Sequence, residues 1–201
     1  MQADLKINPP QPIPYPHNKV IKKIYRYPLQ LYRLGLNRLI GKYILILSTF
    51  GRKTGNVHRT PVEYFRHQGR LFVMSGFGTE PDWFKNIHKN PHVTLQMDRG
   101  TLRTIARKPE TEEEWEGVFE FLRSSPVARL SEPALLEKID EPQIRSAIKT
   151  WPILTFDPTD EVCPPSLETD LLWTWPLILF GIALFVLFNW LWQRKVEICG
   201  D

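Results

Sequence analysis

The chain has 201 residues, 42% of them apolar and 12% aromatic, and a formal net charge of +4. That length and apolar content suffice for one packed domain with appendages and exclude a disordered chain. The small net charge conceals an asymmetry: residues 19–108 hold 18 Lys or Arg against 4 Asp or Glu, whereas residues 109–201 hold 7 against 17. The basic half suits an anionic partner, whether a phosphate-bearing cofactor, anionic lipid or nucleic acid. Two cysteines, Cys163 and Cys199, form no CxxC motif and flank an apolar stretch, so no intrachain disulfide is expected. The N-terminus, M-Q-A-D-L-K-I-N-P-P, lacks the apolar core of a secretory signal.

In chain order, residues 1–18 read as a proline-rich arm. Residues 19–42 carry seven cations and no carboxylate, interleaved with Ile24, Leu29, Leu31, Tyr32, Leu34, Leu36, Leu39 and Ile40. A basic amphipathic helix after Pro28 fits either an anionic membrane surface or the flank of a barrel. Lys42–Phe50 is a buried strand that ends at a turn between Gly51 and Gly55. Val57–Arg66 and Arg70–Phe77 make a hairpin around His67-Gln68-Gly69. Pro81–Lys89 is a short helix stopped before Pro91. His92–Asp98 and Thr101–Lys108 pair around Arg99-Gly100. Thr111, with Glu114 three residues on, is a capping box for a helix to about Arg123. Irregular or helical structure runs to Lys149, and Thr150–Phe156 is a last strand. Five or six strands with few helices predict a barrel domain over residues 43–156. Residues 157–170 read as an acidic linker and 193–201 as a tail.

Between them, Leu171–Trp192 is a 22-residue run without a charge. As a helix at about 1.5 Å per residue it would span roughly 33 Å, enough to cross a bilayer's hydrocarbon core. Trp173, Trp175, Trp190 and Trp192 stand where an aromatic belt would place them. A single-pass, C-terminal membrane anchor is therefore expected. Its orientation is contested by two arguments. Arg194 and Lys195 follow the span and no cation lies in the twenty residues before it, which would put the tail in the cytoplasm. The absence of a signal argues instead for a cytoplasmic barrel.

The chemistry concentrates between Leu47 and Asn90. In G-R-K-T-G, Gly51 and Gly55 bracket Arg52, Lys53 and Thr54, so one tight turn offers two cations, a hydroxyl and amide donors to an anion. Arg59-Thr60-Pro61 follows, then S-G-F-G from Ser75 to Gly78, then P-D-W-F-K-N-I-H-K-N-P. Together, G-R-K-T-G-x-x-x-R-T-P, S-G-x-G and P-x-W-F-x-N-I-x-x-N-P resemble the deazaflavin (coenzyme F(420))-dependent nitroreductase and quinone reductase family, over roughly Lys42–Ser125. The resemblance implies a split β-barrel, mainly β with flanking helices, here with a C-terminal transmembrane helix added. It also implies hydride transfer from reduced F(420), with FMN as an alternative cofactor. Arg52, Lys53 and Arg59 would hold the cofactor's phosphate and acidic tail, with Thr54, Gly55 and Thr60 beside them. Pro61 and Val62 would lie against the ring system, and Ser75, Gly76 and Gly78 would let the backbone approach it. Trp83 and Asn86 would close the pocket. No catalytic side chain and no metal ligand are implied, because the cofactor supplies the hydride and the protein supplies position.

One departure bears on substrate. Family members acting on bicyclic nitro compounds carry several tyrosines after the fifth strand, whereas Leu122–Leu130 here has none. A lipophilic, quinone-like acceptor met at the membrane becomes the more natural reading, with membrane lipid as a partner and no nucleic acid. Barrels of this type often dimerise, so a homodimer is an expectation from the resemblance. A non-catalytic barrel that binds flavin, haem or lipid is the alternative class. Other motifs fall away: G-R-K-T-G lacks the spacer of a phosphate-binding P-loop, and Ser75 lacks the glycine two residues before it that a nucleophile elbow needs. His88 and His92 are separated by Asn90-Pro91 and do not share a helix face.

Overall fold

The computed structural model describes residues 18–125, 133–177 and 179–186. The proline-rich arm, residues 126–130 of the tyrosine-free loop, the end of the apolar run and the tail lie outside the described residues.

Seven strands form one antiparallel sheet in the order β2-β1-β5-β6-β7-β4-β3. They are β1 Ile44–Phe50, β2 Val57–Glu63, β3 Phe65–His67, β4 Arg70–Met74, β5 His92–Met97, β6 Gly100–Arg107 and β7 Ile153–Pro158. The inner face collects Leu45, Leu47, Leu71, Val73, Val93, Leu95, Leu154 and Phe156. Helix α4, Asp82–Lys89, adds Trp83, Phe84 and Ile87 to the same cluster. On the outer face of β4 and β7, Phe72 and Ile153 meet Trp115, Val118, Phe119 and Leu122 of α5, Glu112–Ser124. Short helices α6, Pro133–Glu137, and α7, Pro142–Ile148, close that second core. The architecture is the expected one in outline, an antiparallel split-barrel-like sheet with flanking helices.

One part of the expected strand pattern changes. The stretch predicted as one strand from Val57 to Arg66 is divided at Tyr64, because β2 pairs with β1 while β3 pairs with β4. Tyr64 pins the crossing: its N–H meets the Tyr43 carbonyl and its hydroxyl donates to the Gly41 carbonyl at 2.7 Å. Pro61 is tolerated inside β2 because β2 is an edge strand, where a missing N–H breaks no ladder. The capping box is present at α5, with the Glu114 N–H on Thr111 Oγ1 at 3.2 Å.

The basic stretch 19–42 holds more than the one helix expected after Pro28. It folds as α1 Lys19–Tyr25, α2 Tyr27–Arg33 and α3 Asn37–Ile40, broken at Arg26 and at Gly35, whose φ of 78° is left-handed. Tyr32 of α2 is fully buried and its hydroxyl donates to the carbonyls of Ile44 (2.8 Å) and Gln96 (3.2 Å). Burial pushes its phenol well above the usual range.

Residues 159–170 do not hang as a free linker. They form a strap across the outer face of β6, β5 and β1. Thr159 N–H meets the Arg103 carbonyl, Thr94 Oγ1 donates to Pro164, and the Gln96 side chain bonds both ways with the Leu167 backbone. Asp170 then takes a two-pronged contact from Arg33, each at 2.7 Å.

The apolar run also begins differently from the reading of one continuous helix. Leu172–Thr174 is a 3-10 turn, and residues 175–177 and 179–186 are helical. Among the described residues no helix is long and apolar enough to cross a membrane, and residues 187–192 of the expected span lie beyond them. The first turn departs from α-helix because it is held by α2: Leu171 N–H bonds to the Arg33 carbonyl and Trp175 Nε1 to the Leu34 carbonyl at 2.9 Å.

Candidate functional site

The G-R-K-T-G turn joins β1 to β2. Gly55 has φ of 70°, a conformation glycine adopts without a steric penalty, and its N–H closes the turn on the Gly51 carbonyl at 2.8 Å. Gly51 is needed for another reason: a Cβ there would come within 2.7 Å of the His58 imidazole.

The turn is docked on α4 through one buried side chain. Asn86, 2% exposed, accepts from the Arg52 N–H (3.1 Å) and guanidinium (3.2 Å) and donates to Thr49 Oγ1 at 3.3 Å. Arg52 also bonds Asp82 at 2.9 Å, and this contact holds the Asp82 carboxyl below the usual carboxylate range. Part of Arg52's charge is therefore spent on the fold, whereas Lys53, Thr54 and Gly55 are exposed.

Opposite the turn lies the β5 end of α4. An open cleft of about 660 Å³ runs between them, with Arg52 and Lys53 on one wall and Lys89, Asn90 and His92 on the other. The second wall comes from the end of the P-D-W-F-K-N-I-H-K-N-P segment and the start of β5. It faces the turn only because β5 is the neighbour of β1, which a linear reading does not supply.

Arg59 stands elsewhere. It pairs with Ser48 across β1 and β2 on the face under the strap, and its Nη2 donates to the carbonyls of Ser166 (3.0 Å) and Pro165 (3.4 Å). Arg59 Nε and Ser48 Oγ are both buried without a hydrogen-bond partner. Thr60 and Pro61 follow on β2, half-buried, and Val62 packs on the inner core.

The S-G-F-G segment leads from β4 toward α4. Ser75 N–H bonds the Pro152 carbonyl at 3.0 Å and the Gly78 N–H turns back to Ser75 at 3.1 Å. The Ser75 hydroxyl is buried, with the residue 6% exposed, and has no partner. Gly76 is exposed, and a Cβ added there would meet nothing within 4 Å. Gly78 has φ of 63°. Trp83 lies in the barrel core, edge-on to Phe84 at 5.5 Å between ring centroids. The two halves of the expected site thus meet at opposite ends of α4: a cationic cleft at one and bare backbone with an unpartnered hydroxyl at the other.

Residues 31–128 match the model of a family described as F(420)H(2)-dependent quinone reductase. Over this stretch the chain is similar to that family. The chain is accordingly an oxidoreductase of the kind that uses the reduced deazaflavin. Solved structures similar to it include an F(420)-H2 dependent reductase (FDR-A), 22% identical over 58% of this chain and 95% of that one, with a TM-score of 0.37. A putative pyridoxamine 5'-phosphate oxidase from Listeria innocua is 14% identical over 71% and 95% of the two chains, at 0.35. A heme binding protein from Mycobacterium smegmatis is 14% identical over 62% and 49%, at 0.38. At these scores the overlays carry no argument about ligand or assembly.

The residues of the site fit an elongated cofactor with an anionic tail. The cleft offers cations to such a tail. Gly76 leaves open space where a planar ring can approach backbone, and Ser75 offers a hydroxyl that has no partner among the described residues.

Proposed function

We propose that this chain is a membrane-anchored reductase that passes a hydride from reduced F(420) to a lipophilic acceptor such as a quinone or a nitro compound. The observation that carries the reading is the cleft with Lys53 and Arg52 facing Lys89, continued along α4 to the unpartnered Ser75 hydroxyl beside Gly76. When bound, the reduced deazaflavin supplies the hydride.

The protein's own residues do the rest. Lys53, Arg52 and Lys89 neutralise the anionic tail, with Thr54 and the Gly55 amide as added donors. Arg59 joins them once its two strap carbonyls are exchanged for an anion. Asn86 fixes the turn against α4 so that these cations are presented before binding, which lowers the ordering cost. Pro61, Val62 and Trp83 give the ring an apolar flank. Ser75 Oγ can donate to a ring or acceptor oxygen, and the acceptor's proton comes from solvent or from that region. No general base is required.

The missing tyrosines in residues 122–130 favour a quinone over a bicyclic nitro compound. The apolar run from Leu171 to Trp192 is read as the anchor, with the barrel on the cytoplasmic side and a homodimer as the assembly. Titration of the detergent-solubilised full chain with F(420), FMN and haem tests the cofactor. Steady-state assays with long- and short-tailed quinones then test the acceptor. Tight binding of FMN or haem without F(420) would favour a flavin- or haem-binding barrel instead.

A further inference from the structure

The N-terminal helices bring together what the sequence separates by about 140 residues. Ile21, Ile24, Tyr25 and Tyr27 of α1 and α2, with Leu39 and Tyr43 after them, are exposed; Ile24 is 66% and Leu39 68% exposed. Beside them Lys23, Arg26, Arg38 and Lys42 are exposed, and among the described residues none of the four forms an ion pair. The root of the C-terminal apolar helix is fastened to this same layer. Arg33 holds Asp170, Leu171 and Trp175 bond to the Arg33 and Leu34 carbonyls, and Leu172 lies where a Cβ on Gly35 would come within 2.7 Å. From there Leu177, Leu179, Phe180 and Ile182 are all exposed.

The same layer touches the site. Tyr25 of α1 packs edge-on against Phe77, the side chain between Gly76 and Gly78, with ring centroids 5.7 Å apart at 90°. We propose that α1–α3 and the root of the apolar helix form one seat for an anionic bilayer surface, and that the Ser75–Gly78 mouth opens beside it. This inference rests on the functional reading above for the mouth alone; the seat stands on its own observations.

Charge and apolarity select the occupant. Exposed tyrosines and aliphatics interleaved with unpaired cations match the headgroup boundary of an anionic leaflet, and aromatic rings with one polar tip are favoured there. The seat also bears on the orientation that the linear sequence leaves contested. Among the described residues, the cations beside the root of the apolar helix are those of α1–α3, on the domain's side of the membrane. The barrel therefore faces the anionic leaflet, and a bilayer-dissolved acceptor reaches Phe77 without crossing bulk water.

The test uses the full chain with Cys163→Ser and Cys199→Ser, carrying an environment-sensitive fluorophore at Ile24→Cys or, as control, at Glu113→Cys on α5. It is reconstituted in phosphatidylcholine vesicles with or without phosphatidylglycerol, both doped with brominated lipid. The Ile24 label is expected to be quenched with phosphatidylglycerol and much less without it, while the Glu113 label stays unquenched in both. Lys23→Glu with Arg26→Glu should release the Ile24 label, since each cation near an anionic leaflet strengthens its attraction about five-fold. A label that is water-exposed in both vesicles, or shielded equally in vesicles and detergent, would overturn the seat, the latter pointing to a protein partner. The same charge reversal should raise KM for a long-tailed quinone and leave kcat and the short-tailed quinone unchanged. An unchanged KM would overturn the placement of the mouth. Loss of all F(420)-linked activity in the parent protein would count against the functional reading and leave the quenching result standing.

Discussion

The two sides of the barrel treat charge in opposite ways. On the α5 side, Glu114 is 2% exposed and accepts from both ends of the Arg107 guanidinium, from Arg70, and from the Glu110 N–H at 2.8 Å. Asp157 completes the knot on Arg107 and Arg70. Arg123 and Arg145 bridge Glu116 and Asp140 in a second network. On the α4 side, Lys53 and Lys89 are exposed across an open cleft and Ser75 keeps a buried hydroxyl, and under the strap Ser48 and Arg59 keep buried polar atoms, all without hydrogen-bond partners among the described residues. The fourth such atom, Trp151 Nε1, is the exception and lies in the core beneath α5. Charged groups are paired within the fold where α5 buttresses the sheet and left available where a ligand is to be met.

That contrast predicts which substitutions unfold the protein and which disarm it. The largest effect should come from Glu114→Ala, which strands Arg107 and Arg70 and uncaps α5. A loss of about 3 kcal/mol is expected in chemical denaturation, with F(420) affinity preserved in the protein that remains folded. A loss below about 1 kcal/mol would mean that the knot is ornamental. Acid should expose the same region next. Hydrogen bonds from Arg107 hold the Glu114 carboxyl at about 2, against 4.5 unperturbed. Its contribution is therefore complete above pH 4.5 and lost as pH falls from 4.5 toward about 2, on the order of 2 kcal/mol. Glu116, bonded by Arg123, and Asp140, bonded by Arg145, are depressed in the same direction and add to the trend. A flat urea midpoint between pH 5 and 3 would contradict this.

The opposite pattern belongs to the cleft. Lys53→Ala should weaken F(420) binding about ten-fold while leaving the melting temperature in place, because its charge supports no contact in the fold. Adding Arg59→Ala should weaken it further and also loosen the strap, visible as faster backbone amide exchange at Leu167, whose N–H bonds Gln96 at 3.0 Å. The smallest effect is assigned to Tyr32→Phe, which removes two hydrogen bonds and little packing, about 1 kcal/mol in stability with unchanged cofactor affinity.

How much of this could be read in advance follows the range of the interactions. The Gly51–Gly55 turn, the capping box at Thr111 and the helix stopped at Asn90-Pro91 are set by residues within a few positions of one another, and they are legible. The division at Tyr64 is not, because V-H-R-T-P-V-E-Y-F-R keeps its strand character while its partner changes from β1 to β4. The strap was hidden too. It binds through main-chain carbonyls of Pro164, Pro165, Ser166 and Leu167, which leave no side-chain signature in an acidic, proline-bearing stretch. In the site, Arg52 and Lys53 read alike as phosphate ligands, yet the fold commits Arg52 to Asp82 and Asn86 and leaves Lys53 exposed. Lys89 fell in the quoted P-D-W-F-K-N-I-H-K-N-P segment and His92 just after it, but that they face the turn follows from the β1–β5 pairing, which a linear reading does not supply.

The measurement that bears most directly on the central claim is a binding titration of the full chain with F(420), run beside FMN and haem and repeated with Lys53→Ala. The account predicts saturable, micromolar binding of F(420) in preference to the other two, weakened by Lys53→Ala with no loss of fold. Binding of FMN or haem with none of F(420), or F(420) affinity unmoved by Lys53→Ala, would contradict it.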